Sequence, residues 1–178
     1  MESVKIQQAV ILAGGRGERM RPITDNIPKP MILIHGKPFL EYIIEMLSEA
    51  GISNILLLLG YLPEKIKEYF QDGEQWDVKI SYSISSVDHK TGTRLRLAQE
   101  YLDNNFILLY CDNYWSMNIK KLWNNYVSYT AISQVVVYSN YDKYSTNNVL
   151  VNENGFIEIY DKSRSYKGLN GVDIGFII

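Results

Sequence analysis

Cysteine is almost missing from this chain. Cys111 stands alone among 178 residues, so no disulfide framework can form within it. Histidine is nearly as scarce: His35 has no second histidine or cysteine near it in sequence, and it reads as a turn residue and not as a metal ligand. No apolar run reaches the length of a transmembrane helix. No basic segment with a small-residue cleavage site opens the sequence, so no signal peptide is expected. Net charge is −2, which excludes a globally basic nucleic-acid binder. These absences lead to the expectation of a cytoplasmic protein with neither a nucleic-acid nor a membrane partner, in which any anion site is local. Hydrophobic residues make up 46% and charged residues 21%, the ordinary balance of a globular domain. The length suits one domain with a sizeable core, taken as residues 1–178.

One stretch organises the rest. Ala9-Val10-Ile11-Leu12 reads as a buried strand, and it delivers Ala13 into a loop with Gly14, Gly15 and Gly17. Arg16, Arg19 and Arg21 follow the same strand, and Lys29 is braced between Pro28 and Pro30. A glycine loop lets backbone N–H groups approach phosphate closely. Arginines supply planar forks of donors that stay charged, and flanking prolines limit where the Lys29 ammonium can point. Such donors, converging, are what a polyphosphate needs. A dinucleotide-binding loop fits less well, because Arg19 and Pro22 intervene where a third glycine and a helix belong, and the second apolar strand ends in Leu59-Gly60-Tyr61. A Walker A loop is excluded by Glu18-Arg19 after Gly17, where Lys-Ser or Lys-Thr is required.

The remaining pattern alternates. Met31 to Ile34 is expected as a short strand closed by His35-Gly36. Pro38 opens a helix with Phe39, Leu40, Ile43, Leu47 and Ala50 on one stripe, ended by Gly51. Asn54 to Leu59 is wholly apolar, as in a central parallel strand. A helix starts at Leu62-Pro63-Glu64, and Val78 to Ile84 alternates as a strand. A further helix carries Leu95, Ala98 and Leu102 on one side, with Thr93 expected as its N-cap. Arg94 and Arg96 then fall in its first turn, where they are either solvated or close to a bound anion, since cations there oppose the helix dipole. Phe106 to Tyr110 is a buried strand that presents Cys111-Asp112-Asn113 at its carboxyl end. Asn118 to Tyr129 is helical, Ser133 to Tyr138 is a strand, and Asn148–Val151 with Phe156–Tyr160 forms a hairpin. The expected fold class is α/β: a Rossmann-like three-layer sandwich with a mostly parallel central sheet and an antiparallel hairpin near the C-terminal end. The ligand of such a sheet lies beyond the carboxyl ends of the strands, where the glycine and arginine loop begins.

Leu12 to Thr24 and Pro28 to Pro30 together resemble the opening motif of the sugar-1-phosphate nucleotidylyltransferases, L-A-G-G-x-G-T-R-L-x-P-L-T followed by P-K-P. Glu18 departs from it, standing where threonine is commonest, and its carboxylate is expected to point away from phosphate. The resemblance implies transfer of a nucleoside monophosphate from a nucleoside triphosphate to a sugar 1-phosphate, with Mg²⁺ as cofactor and no covalent nucleophile. It implies that Leu12, Ala13, Gly14, Gly15, Arg16, Gly17, Gly92 and Thr93 bind the nucleotide. Arg19 and Lys29 act on the phosphates. Asp112, in the place of the family's G-D aspartate, holds the metal. Asp161 and Lys162 match the acid-lysine pair that holds the sugar phosphate, and Asp173, in a strand like V-N-A-G-I-Y, replaces an asparagine that touches the sugar. Arg94, Leu95 and Arg96 replace small residues after the Gly92-Thr93 pair, which leaves the base open.

Sequences sharing Tyr-Cys-Asp-Asn-Tyr-Trp and Asn-Gly-Val-Asp-Ile-Gly resemble guanylyltransferases of heptose or mannose 1-phosphate, some of them fused to a phosphatase domain, so guanine is preferred over uracil, thymine and cytosine. A catalytically silent nucleotide-sugar-binding or regulatory module of the same fold is the alternative. A homo-oligomer and a fusion to a further domain both stay open. Val172 to Ile178 ends in an apolar strand, and in the family later chain supplies a second metal carboxylate; the expectation is a domain truncated at its C-terminal end.

Overall fold

The computed structural model describes residues 6–116, 118–129 and 131–178. The first strand, β1 (Gln8–Ala13), lies inside the sheet because both faces of its apolar run are covered. A two-residue hairpin follows the loop: β2 (Leu33–Ile34) pairs with β3 (Lys37–Pro38). His35 and Gly36 turn between them with φ of 48° and 88°, the positive pair that a two-residue hairpin turn demands. The expected strand from Met31 is therefore shorter. Lys29–Met31 forms a single 3₁₀ turn instead, and Leu33 and Ile34 are exposed.

Helix α1 (Phe39–Glu49) returns to strand β4 (Asn54–Leu59), and α2 (Pro63–Phe70) returns to β5 (Lys79–Ile84). Helix α3 (Thr91–Leu97) precedes β6 (Phe106–Tyr110), and α4 (Ile119–Ser128) precedes β7 (Val135–Tyr138). The Asn118 carboxamide oxygen caps α4 by accepting from the Lys121 N–H at 2.8 Å. A hairpin of β8 (Val149–Val151) and β9 (Ile157–Tyr160) stands apart, and β10 (Val172–Ile177) re-enters the main sheet.

The main sheet runs β5-β4-β1-β6-β10-β7. The first four strands are mutually parallel, and β10 is antiparallel to both neighbours. The period-2 alternation of the strands divides the core in two. Ala9, Ile11, Ile55, Leu57, Ile107 and Leu109 face the larger cluster, which α1, α2 and α4 cover with Leu40, Ile43, Leu47, Ile66, Phe70 and Trp123. Val10, Leu56, Leu58 and Leu108 face the other side, against Ala98 and the partly buried Leu95 and Leu102. The expected apolar side of the third helix is thus correct, although the helix itself is short. It also begins earlier than expected: Lys90 is its N-cap and Thr93 lies within it. Each fully buried Leu or Ile stabilises by about 1.5–3 kcal/mol, so β4, buried from Ile55 to Leu59, is the best-anchored strand of the sheet. No helix among the described residues is long and apolar enough to cross a membrane.

The strand order has one reversal. After β1 the chain moves outward to β4 and β5, then crosses to β6 on the other side of β1. That switch opens a crevice beyond the carboxyl ends of β1 and β6.

Candidate active site

A cleft of about 800 Å³ occupies this crevice. Its floor is the end of β1, Leu12 and Ala13, beside the end of β6, Tyr110 to Asp112. Its wall is the loop from Gly15 to Met20. This loop holds its shape through local bonds. Gly17 sits in the left-handed region, at φ 65°, and its carbonyl accepts from the Met20 N–H and from the Thr24 hydroxyl, each at 2.9 Å. Thr24 is buried, and its own carbonyl accepts from the Tyr61 hydroxyl at 3.0 Å. Thr24 and Tyr61 were not expected to matter; Thr24 belongs to the loop motif, but only the folded loop shows that it ties the two ends together.

Pro28 and Pro30 are buried on either side of Lys29 and hold it half-buried at the cleft. The Lys29 ammonium reaches Asp112 across the floor, Nζ to Oδ2 at 2.5 Å. Arg16 pairs with Asp88 of the loop after β5, Nη2 to Oδ1 at 3.1 Å. Asp88 lines the cleft, a position that sequence reasoning passed over. Among the described residues Arg19 takes part in no ion pair, so its guanidinium is the cleft cation least committed to the protein. Glu18 lines the cleft as well and is exposed.

The structure therefore gathers Leu12, Ala13, Gly15, Arg16, Gly17, Arg19, Lys29 and Asp112 around one space. Gly14 lies just behind it, buried. A Cβ there would collide with the guanidinium of Arg94, so a neighbouring side chain by itself requires glycine at position 14. Gly15 has open space in front of it. Gly92 is exposed with open space where a Cβ would stand, and neither it nor Thr93 belongs to the cleft lining. Arg94 is not solvated: it is 5% exposed, with its donors turned onto the protein. It and Arg96 also fall in the last turn of α3 and not in the first, because the helix starts at Thr91.

Asp161 is engaged by its own loop. Its carboxylate accepts from the N–H groups of Ser163, Ser165 and Tyr166 at 2.8–2.9 Å, and from the Ser163 hydroxyl, which holds its pKa well below the usual carboxylate range. Lys162 beside it is exposed. Asp173 lies close enough to Tyr110 for its charge to act on that phenol, but it is not among the residues lining the cleft. Its carboxylate accepts from the Tyr160 hydroxyl at 2.7 Å and from the Gly175 N–H at 2.8 Å. Burial first, and the Asp173 carboxylate second, push the Tyr160 pKa up. Burial pushes the Cys111 thiol up to about 12, with the neighbouring Asp112 charge adding to it, so Cys111 is a protonated packing residue at neutral pH.

Residues 8–160 match the family model described as "Nucleotidyl transferase". The chain belongs to this nucleotidyl transferase family. It is similar to a D-glycero-alpha-D-manno-heptose 1-phosphate guanylyltransferase of Campylobacter jejuni, at 38% identity over 80% of this chain and 63% of that protein. It is also similar to a probable glucose-1-phosphate cytidylyltransferase of Bacillus subtilis, at 32% identity over 96% of this chain and 74% of that protein. The crystal structure of HddC from Yersinia pseudotuberculosis complexed with GMP-PN superposes with a TM-score of 0.78, at 27% identity over 97% of this chain and 76% of that chain. The chain thus spans 63% of the length of the guanylyltransferase it matches. Within the family match lie the cleft, its glycine loop, Lys29 and Asp112.

Proposed function

We propose that this chain transfers a nucleoside monophosphate from a nucleoside triphosphate to a sugar 1-phosphate, releasing pyrophosphate. The observation that carries the reading is the convergence of Arg19, Lys29 and Asp112 on one cleft at the carboxyl ends of β1 and β6. In the reaction an oxygen of the sugar phosphate forms a bond to the α-phosphorus, and the bond from that phosphorus to the α,β-bridging oxygen breaks. Charge accumulates on the equatorial oxygens and on the leaving pyrophosphate, so positioned cations do most of the work that protein can do. Arg19, on the cleft wall, is assigned to the leaving pyrophosphate. Lys29 acts as a point charge on the phosphates, with its stem fixed by buried prolines. N–H groups of Gly15 to Gly17 offer neutral donors to the same oxygens.

The donor set fits magnesium in a limited way. Among the described residues no group of three acidic, histidine or cysteine side chains could hold a metal alone. A single carboxylate suffices for an ion that keeps waters and arrives on substrate phosphates. Asp112 is the residue that would hold it, and the ion would supply charge neutralisation at the reacting phosphates. Lys162 is the cation assigned to the sugar phosphate; Asp173 and Tyr160, which bond each other beside Tyr110, are assigned to the sugar.

Guanine with a manno-configured heptose is the pair to test first, because the Campylobacter and Yersinia relatives carry those names or ligands, while the Bacillus relative is named for cytidylyl transfer to glucose 1-phosphate. Screening GTP, CTP, UTP and dTTP against a panel of sugar 1-phosphates, with magnesium, decides it. One base and one sugar should give an NDP-sugar and stoichiometric pyrophosphate. Nucleotide binding with no NDP-sugar from any acceptor would favour the silent binding module instead.

A further inference from the structure

The guanidinium of Arg94 is 5% exposed and uses all five of its N–H donors on protein. Nη1 donates to the Leu59 carbonyl at 2.8 Å and the Ser85 hydroxyl at 3.0 Å. Nη2 donates to the Gly14 carbonyl at 3.1 Å and the Val87 carbonyl at 3.0 Å, and Nε donates to the His89 carbonyl at 3.1 Å. These acceptors come from three separate places: the ends of β1 and β4 and the loop after β5. Every one of them is neutral, and among the described residues no carboxylate pairs with Arg94. The contact is possible only because Gly14 and Gly60 lack side chains. A Cβ on Gly60 would lie 2.6 Å from the Gly14 carbonyl oxygen and 2.7 Å from the Arg94 Nη atoms.

A buried cation without a counter-ion is costly unless something else balances it. One of its acceptors is the Gly14 carbonyl, and the next residue, Gly15, stands at the cleft wall. Turning the Gly14 carbonyl onto Arg94 keeps its negative dipole end off the cleft, and because a peptide's C=O and N–H point opposite ways it directs the Gly15 N–H away from Arg94. We infer that Arg94 is a positioning residue of the polyphosphate site: it locks the three loops that frame the cleft and sets an unpaired positive charge beneath the place where phosphate binds. The inference rests on the nucleotidyl transfer reading only in taking polyphosphate as the ligand. It also explains why an arginine stands where small residues were expected after Gly92-Thr93.

The test uses inorganic tripolyphosphate as the probe, titrated calorimetrically into the full chain at low and high salt, beside thermal melts. Arg94→Met should weaken binding at least tenfold, and the loss should shrink as salt rises. Arg94→Lys keeps the charge but not the five-donor fork, and should recover part of that binding although its melting temperature falls like that of Arg94→Met. A purely architectural role predicts equal binding losses for both. If both variants fail to fold, Ser85→Asp decides. It places a carboxylate beside Nη1, should leave the fold intact, and should weaken tripolyphosphate binding at least tenfold, whereas Ser85→Asn should not. Unchanged binding in Ser85→Asp, or in a folded Arg94→Met, would overturn the inference, as would a wild-type chain that binds no tripolyphosphate. A wild-type chain that binds tripolyphosphate in an Arg94-dependent way, yet none of the four nucleoside triphosphates, would sink the nucleotidyl transfer reading and leave this one standing.

Discussion

Lys29 Nζ and Asp112 Oδ2 lie 2.5 Å apart, joined across 83 positions of chain. One side chain comes from the Pro-Lys-Pro segment after the first strand and the other from the tip of β6. Both are about one-third exposed, at 30% and 35%, so the pair is screened and adds little to stability, on the order of 0–1 kcal/mol. Its consequence is for ligand binding. On the proposed reading, a polyphosphate with its metal would offer each partner a better counterpart, phosphate for Lys29 and cation for Asp112.

Asp112→Asn should therefore separate chemistry from stability. The melting temperature should move by no more than a degree or two. Turnover, or magnesium-stimulated nucleotide binding, should fall about a hundredfold, the scale of losing one charge-stabilising group. Metal titration of the wild type and the variant checks this. Equal magnesium dependence in the two would remove Asp112 from the metal site.

Arg19→Ala and Lys29→Ala should each lower turnover about a hundredfold with the fold retained. Arg19 is exposed and Lys29 half-buried, so neither truncation opens a core cavity. Steady-state assays with circular dichroism as control would show it. Near-normal rates in either variant would contradict the assigned phosphate roles.

The two adjacent glycines should behave oppositely. Gly14→Ala drives a Cβ into the Arg94 guanidinium and should destabilise by about 1–3 kcal/mol, as overpacking does. Gly15→Ala meets nothing within 4 Å and should leave the melting temperature alone, while weakening the approach of phosphate to the loop. Chemical denaturation and nucleotide titration of both variants separate the effects. Equal stability of Gly14→Ala and wild type would mean that the buried arginine tolerates displacement.

Cys111 gives a pH prediction. Its thiol is pushed up to about 12 from an ordinary 9.0, because burial disfavours the thiolate and the Asp112 charge adds to that. The unfolded chain therefore releases this proton first as pH rises. The stabilisation is complete below about pH 9 and is lost between there and about 12. At pH 8 the folded thiol should alkylate at least tenfold more slowly than the unfolded one, since only the thiolate reacts. Comparable rates would show that the thiol is open to solvent.

How legible all this was depends on the kind of signal. Asn54–Leu59 was read to the residue, because a wholly apolar run bounded by polar residues has few alternatives. The cleft-lining glycines, Arg19, Lys29 and Asp112 were legible because they match the family's opening motif and its strand-tip aspartate, and the ends of β1 and β6 bring them to one cleft. Arg94 was not. A cation on a short helix looks solvent-bound along the chain, and only the meeting of three loops shows five acceptors waiting for it. The same limit applies to Thr93, which folds into α3 and not at its cap, and to Asp161, whose donors are serines and a tyrosine within five residues that a reader weighing ion pairs passes over.

The most direct measurement is calorimetric titration of GTP, CTP, UTP and dTTP, with and without magnesium, into the wild-type chain and into Lys29→Ala. The account predicts that at least one triphosphate binds at micromolar to millimolar concentration and that Lys29→Ala weakens it tenfold or more. Binding of none of the four, or binding that Lys29→Ala leaves unchanged, would contradict it.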